Sequence, residues 1–235
     1  MNATVGGYLD RSYTAGTPVR PGTARGPTGP PEAIPARLRQ SLALRRNETI
    51  DLVWTVFLPP APGYSVAMIE RRAEVRDAAP GDATSLSGIF RESWQLAYAG
   101  IIPHPHLAAM IARRDDRYWR RTFARKPRPI VLEASGALAG YAAFGRARTQ
   151  SRYEGEIFEL YLSPVYQGLG LGERLFESAR VRLDEMRIRG LVVWALSDNI
   201  AACDFYERRG GRPVATVIEC FGNARLEKTA FAWPG

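Results

Sequence analysis

The sequence predicts an α/β fold built on a mixed, mostly antiparallel sheet that is flanked by helices. Two pairs of apolar segments are joined by short turns typical of antiparallel strands, one pair around Ser135-Gly136 and the other around Gly222-Asn223. A further apolar segment, residues 157–162, leads instead through a glycine-rich loop into a helix. The 235 residues, of which 46% are hydrophobic, suffice for one well-packed core with an extension.

The first 67 residues are predicted to lie outside the folded domain, which then spans residues 68–235. Residues 1–35 are rich in glycine and threonine and contain six prolines, a composition that favours disorder. Because Met68 begins a short segment, residues 68–72, that precedes the first predicted strand, we hypothesise that Met68 is the natural start and that residues 1–67 reflect an over-long gene assignment. Mass spectrometry of the native N-terminus tests this hypothesis, and peptides from upstream of Met68 would contradict it.

Residues 73–76 are the first predicted strand, and two helices follow it. Asp82 or Thr84 is a suitable N-cap for the first helix, which Gly100 and Pro103 end. Its apolar residues recur at helical spacing, and they are Leu86, Ile89, Phe90, Trp94 and Ala97. The second helix is predicted over residues 107–125.

Six more strands are predicted after these helices. Residues 130–134 and 138–144 form a hairpin, and residues 157–162 and 191–196 are two buried strands. Residues 213–218 and 227–233 form the terminal antiparallel pair.

The glycine-rich loop Gln167-Gly168-Leu169-Gly170-Leu171-Gly172 has the composition of a phosphate-binding loop. Glycines let the backbone approach a ligand closely, and the free N–H groups of a helix N-terminus attract anions. A nucleotide-hydrolase loop is excluded because Glu173 and Arg174, rather than Lys and Ser or Thr, follow the last glycine. A dinucleotide fingerprint is disfavoured by the G-x-G-x-G spacing. The remaining pattern is Gln-x-x-Gly-x-Gly, filled by Gln167, Gly170 and Gly172.

With this pattern and its flanks, the sequence resembles the GNAT superfamily of N-acetyltransferases over about residues 70–233. Upstream, residues 156–164 resemble the family's fourth strand. Downstream, the family motif Asn-x-x-Ala-x-x-Phe-Tyr-Glu-x-x-Gly is matched by Asn199, Ala202, Phe205-Tyr206-Glu207 and Gly210. The chain departs from the family at Gly211, where an aromatic residue is usual. The resemblance implies about six to seven strands with helices on both faces of the sheet.

The resemblance also implies that acetyl-coenzyme A (acetyl-CoA) is the co-substrate and that no metal is needed. Backbone groups of three strand residues would bind its pantetheine arm and the thioester carbonyl, the loop and the first turn of the next helix would hold its pyrophosphate, and an amide after the fifth strand would contact it. These cofactor residues are Leu160, Tyr161, Leu162, Gln167, Gly168, Leu169, Gly170, Leu171, Gly172, Glu173 and Asn199.

Two catalytic residues are implied in the same way. Glu156 matches the carboxylate that removes a proton from the acceptor ammonium before the amine attacks, and Tyr206 matches the tyrosine that protonates the departing thiolate. Glu159 and Glu154 remain rivals for the base, and simple strand alternation predicts that Glu159 lies on the face opposite Glu156. A core-packing role remains the alternative for Tyr206.

Other candidate sites are weaker. His104 and His106, on a predicted proline-constrained loop, lack companion metal ligands, and Cys203 and Cys220 indicate a reducing cytoplasm rather than a disulfide framework. The net charge of +8 comes almost entirely from arginine, and the basic stretch at residues 113–125 contains Asp115 and Asp116, so a solvated helix is favoured over a nucleic-acid-binding face. Apolar runs are too short to span a membrane.

Three functions stay open at this level. The leading one is acetyl transfer to a primary amine, a small molecule or a peptide, by direct attack in a ternary complex. The second is a catalytically silent acetyl-CoA-binding sensor or scaffold, and the third is a nucleic-acid-binding protein, whose affinity would fall steeply with salt. The sequence names neither the acceptor nor the oligomeric state, for which a homodimer is possible.

Overall fold

The sheet and its helices are seen in a computed structural model that describes residues 2–3, 73–148 and 151–235. All of these residues belong to one compact unit. Most of the predicted N-terminal extension, including Met68, lies outside the described residues, so the hypothesis about the natural start stays a prediction. Within that extension, Asn2–Ala3 form a short strand.

The strands form one open, mostly antiparallel sheet in the order β2-β3-β4-β5-β6-β8-β7, with β1 paired to β5 outside this path. The one parallel pair in this order is β5 with β6. The strands are β1 Asn2–Ala3, β2 Glu74–Asp77, β3 Ile130–Ala134, β4 Ala137–Arg146, β5 Gly155–Leu162, β6 Leu191–Leu196, β7 Arg212–Phe221 and β8 Ala224–Trp233. This arrangement confirms the predicted mixed, mostly antiparallel sheet and both predicted hairpins.

Helices cover both faces of the sheet, as predicted. The helices are α1 Ala83–Tyr98, α2 His104–Ala112, α3 Asp116–Phe123, α4 Leu171–Glu185 and α5 Ile200–Arg208. On the front face, α1, α2 and α3 pack over Val131, Tyr141 and Tyr161. On the back face, α4 and α5 pack over Leu160 and Val193.

The prediction of a single second helix over residues 107–125 is wrong, because α2 ends at Ala112 and α3 begins at Asp116. Asp115 causes the break: its backbone is extended, and its carboxylate accepts a hydrogen bond from the Tyr118 N–H, which makes it the N-cap of α3. The helical pattern of apolar residues continues through this break, so periodicity alone does not reveal it. Pro105 lies in the first turn of α2, where proline is tolerated, so His104 and His106 lie on a helix rather than on the predicted loop.

Strands β5 and β6 separate after a short contact, and this opening places the candidate site. They pair only from Gly155 opposite Leu191 to Ile157 opposite Val193. Beyond this point β6 pairs with β8 on its other side, and β5 pairs with β4 on its far side. The edge of β5 that faces the opening pairs with β1, Ala3 lying opposite Leu160 and Asn2 opposite Tyr161. An edge that accepts an extended chain has backbone groups available for a ligand.

Candidate active site

The glycine-rich loop leads from the end of β5 into α4 in the conformation that its glycines favour. Gly168 and Gly170 have φ values of 78° and 73°, in the left-handed region that other residues rarely adopt. Gly170 is the N-cap of α4, whose first residue is Leu171. The free N–H groups of this first turn therefore begin directly at the loop, as anion binding requires.

Two contacts hold the loop against the end of β5. The side-chain amide of Gln167 donates a hydrogen bond to the backbone oxygen of Leu162 at 3.1 Å. A Cβ at Gly172 would lie 3.3 Å from a methyl carbon of Leu162 and 3.5 Å from the Phe205 ring, so glycine lets α4 begin close to the strand. In the structure, Gln167 thus acts as a brace that fixes the loop.

Glu173, which is also predicted to bind the cofactor, lies in the first turn of α4. Its exposed carboxylate pairs with Arg209 at 3.1 Å, and the Arg209 guanidinium lies 3.7 Å from the centre of the Phe205 ring. The backbone N–H of Glu173 donates to the Gly170 oxygen at 3.0 Å, so both the side chain and the N–H of Glu173 already have partners.

A β-bulge in β5 brings two carboxylates to the same face. Ala143 of β4 pairs with Glu159, but the next residue, Phe144, pairs with Ile157, so Phe158 is the extra residue. Ile157 and Leu160 both belong to the back-face core, and the residue before each of them, Glu156 and Glu159, points to the front. The prediction that Glu159 lies opposite Glu156 is therefore wrong, because a bulge shifts the alternation by one residue.

Glu156 is 2% exposed and is held by Arg148, which follows β4. The backbone N–H of Arg148 donates to Oε2 at 3.0 Å, and its guanidinium pairs with Oε1 at 2.5 Å. The guanidinium also lies over the Phe158 ring, 4.2 Å from its centre. Phe158, the bulged residue, thus packs against the Arg148 guanidinium that neutralises Glu156.

Glu159 is 5% exposed and has a separate set of partners. The guanidinium of Arg114, from the connection between α2 and α3, pairs with Oε1 at 2.7 Å. Burial alone would lower the pKa of Arg114, but the Glu159 carboxylate outweighs burial and the pKa is raised. Burial also raises the pKa of Tyr141 well above its usual value, so its hydroxyl stays protonated and donates to Oε2 at 2.9 Å.

Arg114 also lies over an aromatic ring, and this contact helps to hold its side chain in place. Its guanidinium carbon is 4.3 Å from the centre of the Tyr118 ring. Burial raises the pKa of Tyr118 to about 12, so this phenol remains neutral near physiological pH. Glu159 is therefore part of a closed buried network, whereas Glu156 is held by one arginine whose side chain is 29% exposed.

Tyr206 is fully buried on the back face, in a cluster of aromatic rings. Its ring centre lies 6.0 Å from Phe176, 5.8 Å from Phe231 and 5.9 Å from Trp233. This environment fits the core-packing alternative, and the proton-donating role stays a prediction.

Trp233 takes the space that Gly211 leaves. A Cβ at Gly211 would lie 2.5 Å from the Trp233 ring and 2.8 Å from the backbone oxygen of Tyr206. The indole N–H of Trp233 donates to the backbone oxygen of Arg209 at 2.7 Å. The ring that this chain lacks at residue 211 is therefore supplied by the last strand, β8.

Asn199 is the N-cap of α5, because its side-chain oxygen accepts a hydrogen bond from the Ala202 N–H at 3.2 Å. It is buried and lies just after β6. The cap explains this asparagine structurally, and the predicted contact with a cofactor stays a prediction.

The weaker candidates gain no further support. Residues 73–148 and 151–235 contain no group of three or more potential metal ligands, and none of their helices is long and apolar enough to cross a bilayer. Burial raises the pKa of the Cys203 thiol to about 11, which disfavours a reactive thiolate. Sequence reasoning missed the roles of Arg114, Arg148 and Trp233. Arg114 and Trp233 act on residues that are distant in the chain, and the contact of Arg148 with Glu156 depends on the register of β4 and β5, so no local spacing marks these pairs.

Comparisons with known proteins agree with this geometry. The sequence profile described as the acetyltransferase (GNAT) family matches residues 89–211, just over half of the chain. The uncharacterized N-acetyltransferase YuaI of Bacillus subtilis is 26% identical over 161 residues, which cover 68% of this chain and 92% of that protein. The mycothiol acetyltransferase of Propionibacterium freudenreichii is 24% identical over 52% of this chain, but the match spans only 39% of that protein.

Solved structures show the same fold. The PaiA N-acetyltransferase of Thermoplasma acidophilum, in complex with coenzyme A, matches with a TM-score of 0.53 at 19% identity over 67% of this chain and 97% of that one. YncA of Salmonella typhimurium, a putative acetyltransferase with acetyl-CoA, matches with a TM-score of 0.51 at 21% identity over 69% of this chain and 93% of that one.

Proposed function

The chain belongs to the acetyltransferase (GNAT) family, and we propose that it is an N-acetyltransferase that transfers the acetyl group of acetyl-CoA directly to a primary amine in a ternary complex. One observation carries the proposal: the opening between β5 and β6 leads from the glycine loop at the N-terminus of α4 to two buried front-face carboxylates. Acetyl-CoA supplies an activated thioester carbonyl, and the chain supplies binding, orientation and proton transfer.

The loop and the open strand edge fit the two ends of acetyl-CoA. Residues 168–172 offer backbone N–H groups and the positive end of the α4 dipole to the pyrophosphate, whereas the Glu173 N–H already donates to Gly170. Residues 160–162 offer the backbone edge of β5 to the amides of the pantetheine arm, in the way that β5 already accepts β1. Since β1 pairs with Leu160 and Tyr161, binding of the arm requires β1 to leave this edge.

The carboxylate of Glu156 is the proposed base. An acceptor amine must lose a proton before it attacks, and a carboxylate within hydrogen-bond reach accelerates this step. Glu156 lies on the front face just before the bulge, and its counter-ion is the partly exposed Arg148, which an incoming ammonium can displace. Glu159 is the second candidate, but its two partners bury it in a closed network.

Replacement of Gly168 by Asp is expected to abolish measurable acetyl-CoA binding, because a new carboxylate at the loop would repel the pyrophosphate. Gly136 is a matched control. Its φ of 80° is close to the 78° of Gly168, and a Cβ at either position would meet no atom within 4 Å. Gly136→Asp therefore imposes a similar backbone cost in the β3–β4 turn, away from the loop. Calorimetric titration with acetyl-CoA measures both variants, and equal binding by the two would contradict the proposed pyrophosphate site.

Replacement of Tyr206 by Phe is expected to lower turnover while the melting temperature stays nearly unchanged. The substitution keeps the ring that packs on Phe176, Phe231 and Trp233 and removes only the hydroxyl. Release of free thiol from acetyl-CoA, measured against a panel of amines, reports turnover. Unchanged turnover would assign Tyr206 to core packing alone. Wild-type binding of acetyl-CoA without turnover on any amine would favour a sensor over an enzyme.

A further inference from the structure

The chain contains 32 lysine and arginine residues, and only Lys126 and Lys228 are lysines. Lys126 is exposed between α3 and β3. Lys228 lies on β8, and its side chain is only 17% exposed. The difference matters because a lysine amine can accept an acetyl group after losing a proton, whereas an arginine guanidinium stays protonated.

The register of the strands places Lys228 on the front face. Lys228 lies directly opposite Leu196 of β6, and Leu196 belongs to the front-face core under α1. The Lys228 ammonium lies 5.1 Å from the centre of the Trp194 ring. Trp194 is the first residue of β6 beyond the last pair with β5, Ile157 opposite Val193. The amine therefore lies on the front face beside the first β6 residue of the opening, and one strand, β6, separates its backbone from the opening.

A carboxylate in contact with the amine completes the arrangement. Glu219 of β7 pairs with Lys228 Nζ at 2.7 Å, and its side chain is 13% exposed. Glu219 lies opposite Leu226, which packs against the front-face core, so the Lys228–Glu219 pair lies on the side of the sheet where the proposed base Glu156 lies.

We propose that Lys228 is a self-acetylation site of this protein, with Glu219 as the base. The inference rests on the proposed function, since acetyl-CoA is the donor. Glu219 takes a proton from Nζ, and the neutral amine attacks the thioester carbonyl. An N–C bond forms and the C–S bond breaks. Nζ loses two protons in all: one is taken up by the departing thiolate and the other passes from Glu219 to solvent.

The product changes the charge of the front face. Acetyl-Lys228 is neutral, so it no longer pairs with Glu219 and no longer places a cation over Trp194. The largely buried Glu219 carboxylate is left without its ion pair, and the front face beside the opening gains one negative charge. Self-acetylation would thereby alter the binding of charged acceptors at the same site.

The test incubates the full chain with acetyl-CoA and follows both lysines by peptide mass spectrometry. Lys228 is expected to be acetylated at least about tenfold faster than Lys126, because the site holds its amine near the donor. The rate per molecule should not depend on protein concentration. Acetyl phosphate, a donor that needs no cofactor site, should reverse the order, because Lys126 is the exposed lysine.

Two variants and a binding measurement separate the outcomes. Glu219→Gln should slow acetylation of Lys228 and leave that of Lys126 unchanged, while Lys228→Arg, which keeps the charge, should remove the fast incorporation. Binding of acetyl-CoA with Lys228 unmodified, or with Lys126 modified as fast, would overturn self-acetylation and leave the proposed function intact. Absence of acetyl-CoA binding by the folded full chain would overturn both.

Discussion

Replacement of Glu156 by Gln is expected to lower the rate of acetyl transfer about 10²- to 10⁴-fold, the range usual for loss of a general base. The amide has nearly the same shape and still accepts a hydrogen bond from the Arg148 N–H, but it cannot take a proton from an ammonium. Thiol release under saturating acetyl-CoA, with the amine that the wild-type chain uses best, measures the loss.

Raising the pH distinguishes a base from a structural residue. As the pH approaches the pKa of the acceptor amine, more of the amine is already neutral, and the Glu156→Gln variant should recover part of its rate. A residue that only supports the fold would show no such recovery. Calorimetry with acetyl-CoA and a thermal melt confirm that the variant still folds and binds the cofactor.

Glu159→Gln is the matched control, because both carboxylates are buried, face the front and pair with an arginine. This variant breaks a closed network with Arg114 and Tyr141, so its main expected effect is a lower melting temperature. A large loss of turnover in Glu159→Gln together with little loss in Glu156→Gln would identify Glu159 as the base and Glu156 as the structural residue.

The sequence predicted the individual strands, both hairpins and the loop, because each depends on residues close together in the chain. The turn at Ser135-Gly136 illustrates this: both residues have positive φ, as a tight hairpin requires, and the Gly at the second position is its local signal. In the loop, Gly168 and Gly170 likewise have positive φ, and the glycines at these two positions are the local signal that the sequence shows.

The relation between Glu156 and Glu159 was not predictable by the same means. A bulge depends on how β5 pairs with β4, and the one-residue shift at Phe158 leaves no mark in the alternation of the strand itself. The counter-ions Arg148 and Arg114 are also set by the tertiary fold, since Arg114 lies 45 residues from Glu159 in the chain. Predicting such contacts requires knowledge of the strand register and of how the helices pack on the sheet.

Trp233 is another residue whose role only the fold reveals, and its replacement by Ala is expected to destabilise the protein by about 3–5 kcal/mol, as for other large-to-small changes in a core. The ring is 6% exposed, packs on Phe176 and Tyr206, and donates a hydrogen bond to Arg209. Urea unfolding measures the loss. Trp194→Ala serves as a control, because Trp194 is a partly exposed tryptophan of the same sheet and should cost less.

A double-mutant cycle with Gly211 tests whether the two residues share one space. Gly211→Ala alone should be costly, because its Cβ would lie 2.5 Å from the Trp233 ring. In the Trp233→Ala background this clash disappears, and only the contact with the backbone oxygen of Tyr206 at 2.8 Å remains. The double variant should therefore be more stable than the sum of the single changes predicts, by about 0.5–3 kcal/mol. Additive effects would mean that the Trp233 ring does not fill the position that an aromatic residue at 211 would take.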